Sequence, residues 1–314
     1  MRDVAQRVES VRPQWLRRLV GLLAGAIVFP APGAFCQPGA PDEFEFRRLV
    51  GEEETWAFDI DRSIYREGSL IYWTAATSSH SVLSGPPRGE FVRITRLTKY
   101  ADTEPIDLSG MLAASPGFAL ALDADPAPAP PASAGLDPTL SGLIADLRAA
   151  LIWARDAGAL RRLRRIGDVV ESTTSWRYAW PDGTRVIVSD DCLQGKLALA
   201  DLTLSKAVVK VTLGPPEASC LAIKEPWIRE PVDPDGRPNN IEQVVAGTNS
   251  LRVSWGREEV SISATLDRRT GALLSAELEN TRLLREKTGC SGSLEHCSPP
   301  VSTRLRRLLR LKRR

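Results

Sequence analysis

The chain has 314 residues, of which 43% are hydrophobic and 25% charged, with a formal net charge of +2 at pH 7. That balance excludes a disordered chain, which is polar and strongly charged, and a membrane-embedded one, which is far more apolar. Near-neutrality also argues against nucleic-acid binding, which depends on many uncompensated Lys and Arg side chains.

Residues 1–36 read as an export signal. Arg7, Arg12, Arg17 and Arg18 precede an uncharged apolar run over 19–29, and Pro30, Pro32 and Gly33 break the helix ahead of small residues. This is the order of a basic n-region, an h-region and a cleavage region. The run is too short to span a bilayer, which takes about 20 apolar residues. General secretion fits better than twin-arginine export, because Leu16 before Arg17-Arg18 and Val20-Gly21 after them suit that signal poorly. Cys36 invites a lipoprotein reading, but Phe35 stands where that site needs a small residue. The expectation is a working chain of roughly 275 residues from Gln37 onward, periplasmic or secreted, in an oxidising compartment.

Four later cysteines, Cys192, Cys220, Cys290 and Cys297, form an even set that points to two disulfides. Among the three possible pairings, Cys192–Cys220 and Cys290–Cys297 each close a local loop. A zinc site combining these thiols with His296 is the competing reading; no Cys-x-x-Cys spacing supports it, and the compartment opposes it. No cofactor is implied.

In chain order, 56–60 and 70–76 predict two strands, joined by a polar connection over 61–68 in which Gly68 serves a tight turn. A third strand is expected over 91–98. Residues 124–137 are rich in Pro and Ala, hence extended and exposed, and mark either a boundary between an N-terminal β-rich region (37–123) and a helix-plus-sheet region (138–314) or a long loop within one domain. Asp137-Pro138 opens a helix. Leu140, Leu143, Ile144, Leu147, Leu151 and Ala154 then form one apolar stripe. A short second helix carries Leu160, Leu163 and Ile166 and ends at Gly167.

From Val169 onward the period becomes two. A hairpin is expected around 181–184, with strands over 209–213, 251–255, 260–266 and 274–279; residues 267–271 turn the chain between the last two. The basic C-terminus, 301–314, reads as a closing edge strand, with a bulge where Arg307-Leu308 breaks the alternation. A basic amphipathic helix suited to an anionic membrane surface is the alternative. The fold class is α+β, mostly β: a curved antiparallel meander with one main amphipathic helix packed on it.

Catalytic signals are sparse. His80 lies among serines at 77–81, but adjacent residues rarely assemble a nucleophile and its base. Residues 233–240 suggest calcium, yet Gly236 is fourth rather than sixth and Val244 stands where the twelfth-position glutamate belongs. The carboxylate pairs Asp59/Asp61 and Asp190/Asp191 leave a glycosidase-like site conceivable, with strand-end solvation as the simpler role.

Trp56, Asp61, Ser63, Ile64, Arg66, Gly68 and Trp73 follow a pattern that resembles the bacterial surface-adhesin protein E-like domain over residues 52–100. The resemblance implies an exported antiparallel sheet with a helix, and adhesion or binding in place of catalysis. The curved sheet, helix and hairpin at 267–271 also look like the half-barrel of periplasmic lipoprotein carriers, an architectural analogy. The sequence thus leads to an exported non-enzymatic protein that binds or adheres at the bacterial envelope. Its partner would be an envelope or surface protein, or an anionic membrane met through the basic C-terminus. A carrier of a lipid or other hydrophobic ligand is the alternative, and a hydrolase with an unrecognised carboxylate site the second alternative.

Overall fold

Apolar residues at every second position drive most of the chain into strands that bury one face. A computed structural model describes residues 43–45, 55–83, 89–101, 104–114, 117–121, 138–155, 157–176, 186–215, 238–245, 251–290 and 297–314. The expected leader with Cys36, the Pro/Ala-rich segment, the turn at 181–184, Cys220, residues 233–237 and His296 lie outside them.

The strands are β1 (Thr55–Arg66), β2 (Ser69–Leu83), β3 (Gly89–Ala101), β4 (Glu104–Asp107), β5 (Phe118–Ala121), β6 (Val169–Trp176) and β7 (Val186–Asp191). They continue with β8 (Leu193–Leu202), β9 (Lys206–Gly214), β10 (Asn240–Val245), β11 (Leu251–Asp267), β12 (Leu273–Cys290) and β13 (Val301–Arg313). Two helices, α1 (Pro138–Trp153) and α2 (Ala157–Leu160), separate β5 from β6. Among the described residues all thirteen strands belong to one antiparallel sheet, ordered β4-β3-β2-β1-β13-β12-β11-β9-β8-β6, with β5, β7 and β10 branching from it. The sheet is not closed into a barrel.

Several boundaries differ from the sequence expectation, in β1 because a polar residue, Arg62, sits at an inward position. The stretch 61–66 continues β1, and the turn is confined to Glu67 and Gly68, both at positive φ, as a tight two-residue hairpin requires. The strands expected at 251–255 and 260–266 are one strand, β11. The second helix ends at Leu160, six residues early, and leaves Ile166 58% exposed.

The C-terminal segment is a strand, as expected, but not at an edge. β13 pairs with β1 on one side and β12 on the other, with no register shift in either ladder. Its odd-numbered residues face inward: Thr303, Leu309 and Leu311 are buried, and Arg307 takes its place among them. The even-numbered ones face outward, and acidic residues on the flanking strands meet them. Arg306 pairs with Glu279 (2.6 Å), Arg310 with Glu277 (3.3 Å) and Arg314 with Asp59. The anticipated bulge is absent because the register break is an arginine turned into the core.

Helix α1 crosses the concave face and closes the core. Its apolar stripe packs in one hydrophobic cluster with Phe58, Ile60, Leu97, Leu197, Val211, Ile262, Leu278 and Leu309 from the sheet. Trp153 lies against β8 at Gly195, where a Cβ would stand 2.8 Å from the indole ring. Burial goes beyond the stripe: Thr139, Ser141, Asp146, Arg148 and Arg155 are buried as well. The helix is enclosed on all sides, where an amphipathic helix resting on a sheet would keep its polar side wet.

The seam formed by β13 is directly testable. Deleting residues 301–314 should expose β1 and β12 as two long unpaired edges, and the monomer peak on size-exclusion chromatography should give way to aggregate. A monomeric truncated chain that still unfolds cooperatively would contradict this.

Candidate functional site

Inward polar residues gather in two connected clusters, one joining α1 to the sheet and one within the sheet. In the first, β1 carries Arg62 into the core beside Thr74 of β2, its cross-strand neighbour. Arg62 Nε donates to Asp146 Oδ2 of α1 at 2.6 Å, and Nη1 donates to the Tyr72 hydroxyl at 3.0 Å. Arg62 is 2% exposed and Asp146 not at all. Burial pulls the guanidinium pKa down, but Asp146 and Tyr72 outweigh it and hold Arg62 above its usual range. The guanidinium reaches the helix because residue 142 is glycine; a Cβ there would lie 2.7 Å from Arg62 Nη2. Thr74 Oγ1 and Asp146 Oδ1, both buried, accept or donate no hydrogen bond. At the rim, Lys99 Nζ sits 4.8 Å over the Tyr72 ring, and Ile106, the cross-strand neighbour of Lys99, is about half exposed.

The second cluster centres on Glu258 of β11, fully buried. Its Oε2 accepts from Asn240 Nδ2 at 2.8 Å, and its Oε1 accepts from Asn280 Nδ2. Arg282 Nε lies 3.0 Å and Arg307 Nη2 3.5 Å from Oε1, and Arg282 also approaches Glu242 at 3.9 Å. Asn239 braces the backbone below: its Nδ2 donates to the carbonyls of Cys192 and Glu258, and its Oδ1 accepts from the Glu258 amide. Burial pushes the Glu258 carboxyl up, but Arg282, Arg307 and the Asn280 amide win and hold it below the ordinary glutamate range. Arg307 shows the opposite balance: burial, with Arg282 and Arg62 nearby, lowers it against the pull of Asp146 and Glu258. Arg307 therefore links the two clusters electrostatically.

The residues singled out in the sequence fall elsewhere. Cys290 and Cys297 are disulfide-bonded to each other, and Cys192 is also disulfide-bonded, with its expected partner Cys220 outside the described residues. Asp59 and Asp61 lie on the outer face of β1, opposite Lys312 and Arg310 of β13. Arg314 holds the Asp59 carboxyl below its usual value, so Asp59 acts as a ladder partner for β13. Asp190 and Asp191 belong to β7, and His80 to β2 opposite Trp56. Of the described members of the calcium-like segment, Pro238, Asn239 and Asn240, the two asparagines direct their amides to the Glu258 network. Among the described residues no three His, Cys, Asp or Glu side chains gather as a metal site, and no helix is long and apolar enough to cross a membrane.

Arg62, Asp146, Glu258, Asn280, Arg282 and Arg307 were not legible as a group. For those on strands the one sequence signal is a charged or amide residue at an inward position of a strand that otherwise alternates; Asp146 lies on α1. The outer face holds a shallow cleft of about 430 Å³ lined by Lys196, Thr212, Glu259, Ser261, Glu279 and Thr281. Its charges are engaged at its borders, in the pairs Lys196–Glu171, Glu259–Arg257 and Glu279–Arg306. Compared with protein-family models and with curated proteins, the chain matches none.

Removing the Glu258 charge should take the nearest carboxylate away from Arg282 and Arg307 in the core. Glu258→Gln is expected to lower stability at pH 7 by about 3–5 kcal/mol, read from urea denaturation. Because the folded carboxyl lies below its unfolded value of about 4.3, its contribution is complete above that pH and disappears as the pH falls through the folded value. Acid unfolding of the parent should therefore be steeper below pH ~4.3 than that of Glu258→Gln. Parallel acid curves would assign the stabilisation elsewhere.

Proposed function

We propose that the chain is an exported, non-enzymatic binding protein of the bacterial envelope, and that its open half-barrel carries an apolar ligand in the concavity that α1 now fills. The observation that carries this reading is the polar side of the enclosed helix. A helix meant for permanent burial gains little from Ser141 and Asp146, whose burial costs free energy unless every polar atom is hydrogen-bonded, and Ser141 Oγ is not. Asp146 meets that condition at one oxygen and not at the other. A helix that alternates between a buried and a solvated position needs such residues, and a ligand with an apolar chain would then replace its stripe against the sheet. The rim, with Tyr72, Lys99 and Ile106, offers an aromatic ring, a cation and an exposed apolar side chain beside the Arg62–Asp146 contact. The disulfides are compatible with an oxidising compartment, and they support export together with the basic and apolar leader read from residues 1–36.

A fluorescent polyunsaturated fatty acid tests the proposal. Saturable binding, with a change in tryptophan emission and faster hydrogen exchange across 138–153, is the expected result. If the Arg62–Asp146 contact holds the helix in place, Arg62→Gln should favour ligand binding; each 1.4 kcal/mol lost from the closed form raises apparent affinity about tenfold. Absence of saturable binding in both forms would dismiss the carrier.

Adhesion keeps one specific observation in its favour. Leu70 and Ile71, 51% and 46% exposed, stand beside the β1–β2 hairpin inside the segment that resembles the adhesin domain. If adhesion is the role, Leu70→Ser with Ile71→Ser should abolish attachment of the purified protein to envelope preparations while leaving fatty-acid binding unaffected.

A further inference from the structure

The most exchangeable element is the one at the centre of the sheet. β13 is the last strand in chain order, yet it fills a slot between β1 and β12, pairing over Leu305–Arg313 with the first and over Val301–Lys312 with the second. The same slot in a second copy offers identical hydrogen bonds, the same outward ion pairs and the same inward contacts, so donation of β13 between two chains would cost no native interaction. The connection decides which occurs. Ten residues, 291–300, lie between the end of β12 and the start of β13. Extended, ten residues reach about 33–36 Å, enough to cross to a neighbouring molecule.

The Cys290–Cys297 disulfide removes most of that reach. It holds the two Cα atoms 4.1 Å apart and leaves Ser298, Pro299 and Pro300 as the free tether. Three residues span about 10 Å, roughly two strand spacings, which suffices to enter the adjacent slot and little more. Ser298 is further tied to Thr288, donating its amide to the Thr288 carbonyl at 2.9 Å and accepting the Thr288 amide on its hydroxyl at 2.9 Å.

We propose that the Cys290–Cys297 disulfide keeps β13 on its own chain, and that a chain lacking it donates β13 to a second copy to form a reciprocal strand-exchanged dimer. The effective concentration of a tethered strand falls roughly as the −3/2 power of tether length. Lengthening the tether from three residues to ten therefore lowers the advantage of self-insertion about sixfold.

The test is Cys290→Ser/Cys297→Ser, refolded from urea at high concentration beside the oxidised parent and analysed by chromatography with light scattering. The dimer-to-monomer ratio should rise at least about sixfold over the parent. Exchange is distinguished from simple association by adding Asp59→Cys and Lys312→Cys, which lie opposite each other in the β1–β13 ladder and are exposed. In the strand-exchanged form their oxidation links two chains, seen as a covalent dimer on a non-reducing gel. A monomeric variant at all concentrations, a dimer whose new crosslink stays within one chain, or a variant that does not fold would each overturn the proposal. The last counts because exchange preserves every β13 contact.

Discussion

Because β13 is hydrogen-bonded to β1 on one flank and β12 on the other, strands from opposite ends of the chain share one concave face. Everything the core does depends on that junction. Without it, the first five strands and the later ones would be two smaller sheets, neither wide enough to enclose α1. The outward side of the junction is an electrostatic ladder, with Arg306 and Arg310 of β13 paired to carboxylates of β12 and Arg314, just past the strand, to Asp59 of β1. Each exposed pair contributes little by itself. Their alternation still opposes a one-residue slip, which would turn Arg306 and Arg310 inward and Leu309 and Leu311 out to solvent.

The inward side is less uniform than an ordinary sheet core. Arg62, Arg307, Asn280, Arg282 and Glu258 occupy neighbouring inward positions on β1, β13, β12 and β11, so an ionic patch interrupts the apolar face. Buried networks of this kind are weak evidence for stability, since well-packed apolar residues often do as well. What they provide is selectivity of arrangement: Asp146 fixes where α1 lies along β1, and Asn239 fixes how the β10 branch meets β11 and the segment carrying Cys192.

Much of this was legible in the sequence, and the illegible part has a common cause. The helix over 138–153, the return strand after Gly271 and the local disulfide loop at 290–297 are short-range features that periodicity and spacing reveal. β11 was divided in two because Val253 and Trp255 are buried on one parity and Val260, Ile262, Ala264 and Leu266 on the other. Both faces are covered where β10 joins, so the alternation changes phase without the strand ending. Arg62 and Arg307 were read as a polar connection and a bulge because an inward arginine imitates a loop in any local window. That Asp146 awaits one of them, and Glu258 the other, is information held in segments scores of residues away. The full enclosure of α1 was equally invisible, since the stripe shows what faces the sheet and not what covers the opposite side.

The position of the final strand bears on how the molecule comes into being. β13 follows every strand it pairs with, so neither of its ladders can form until β13 itself has been made, and contacts as wide in sequence as those of β1 with β13 form slowly. During that interval β1 and β12 present bare edges, and the leading part of the chain has no finished cavity in which to settle. A polypeptide with this connectivity stays threadable until β13 has been made.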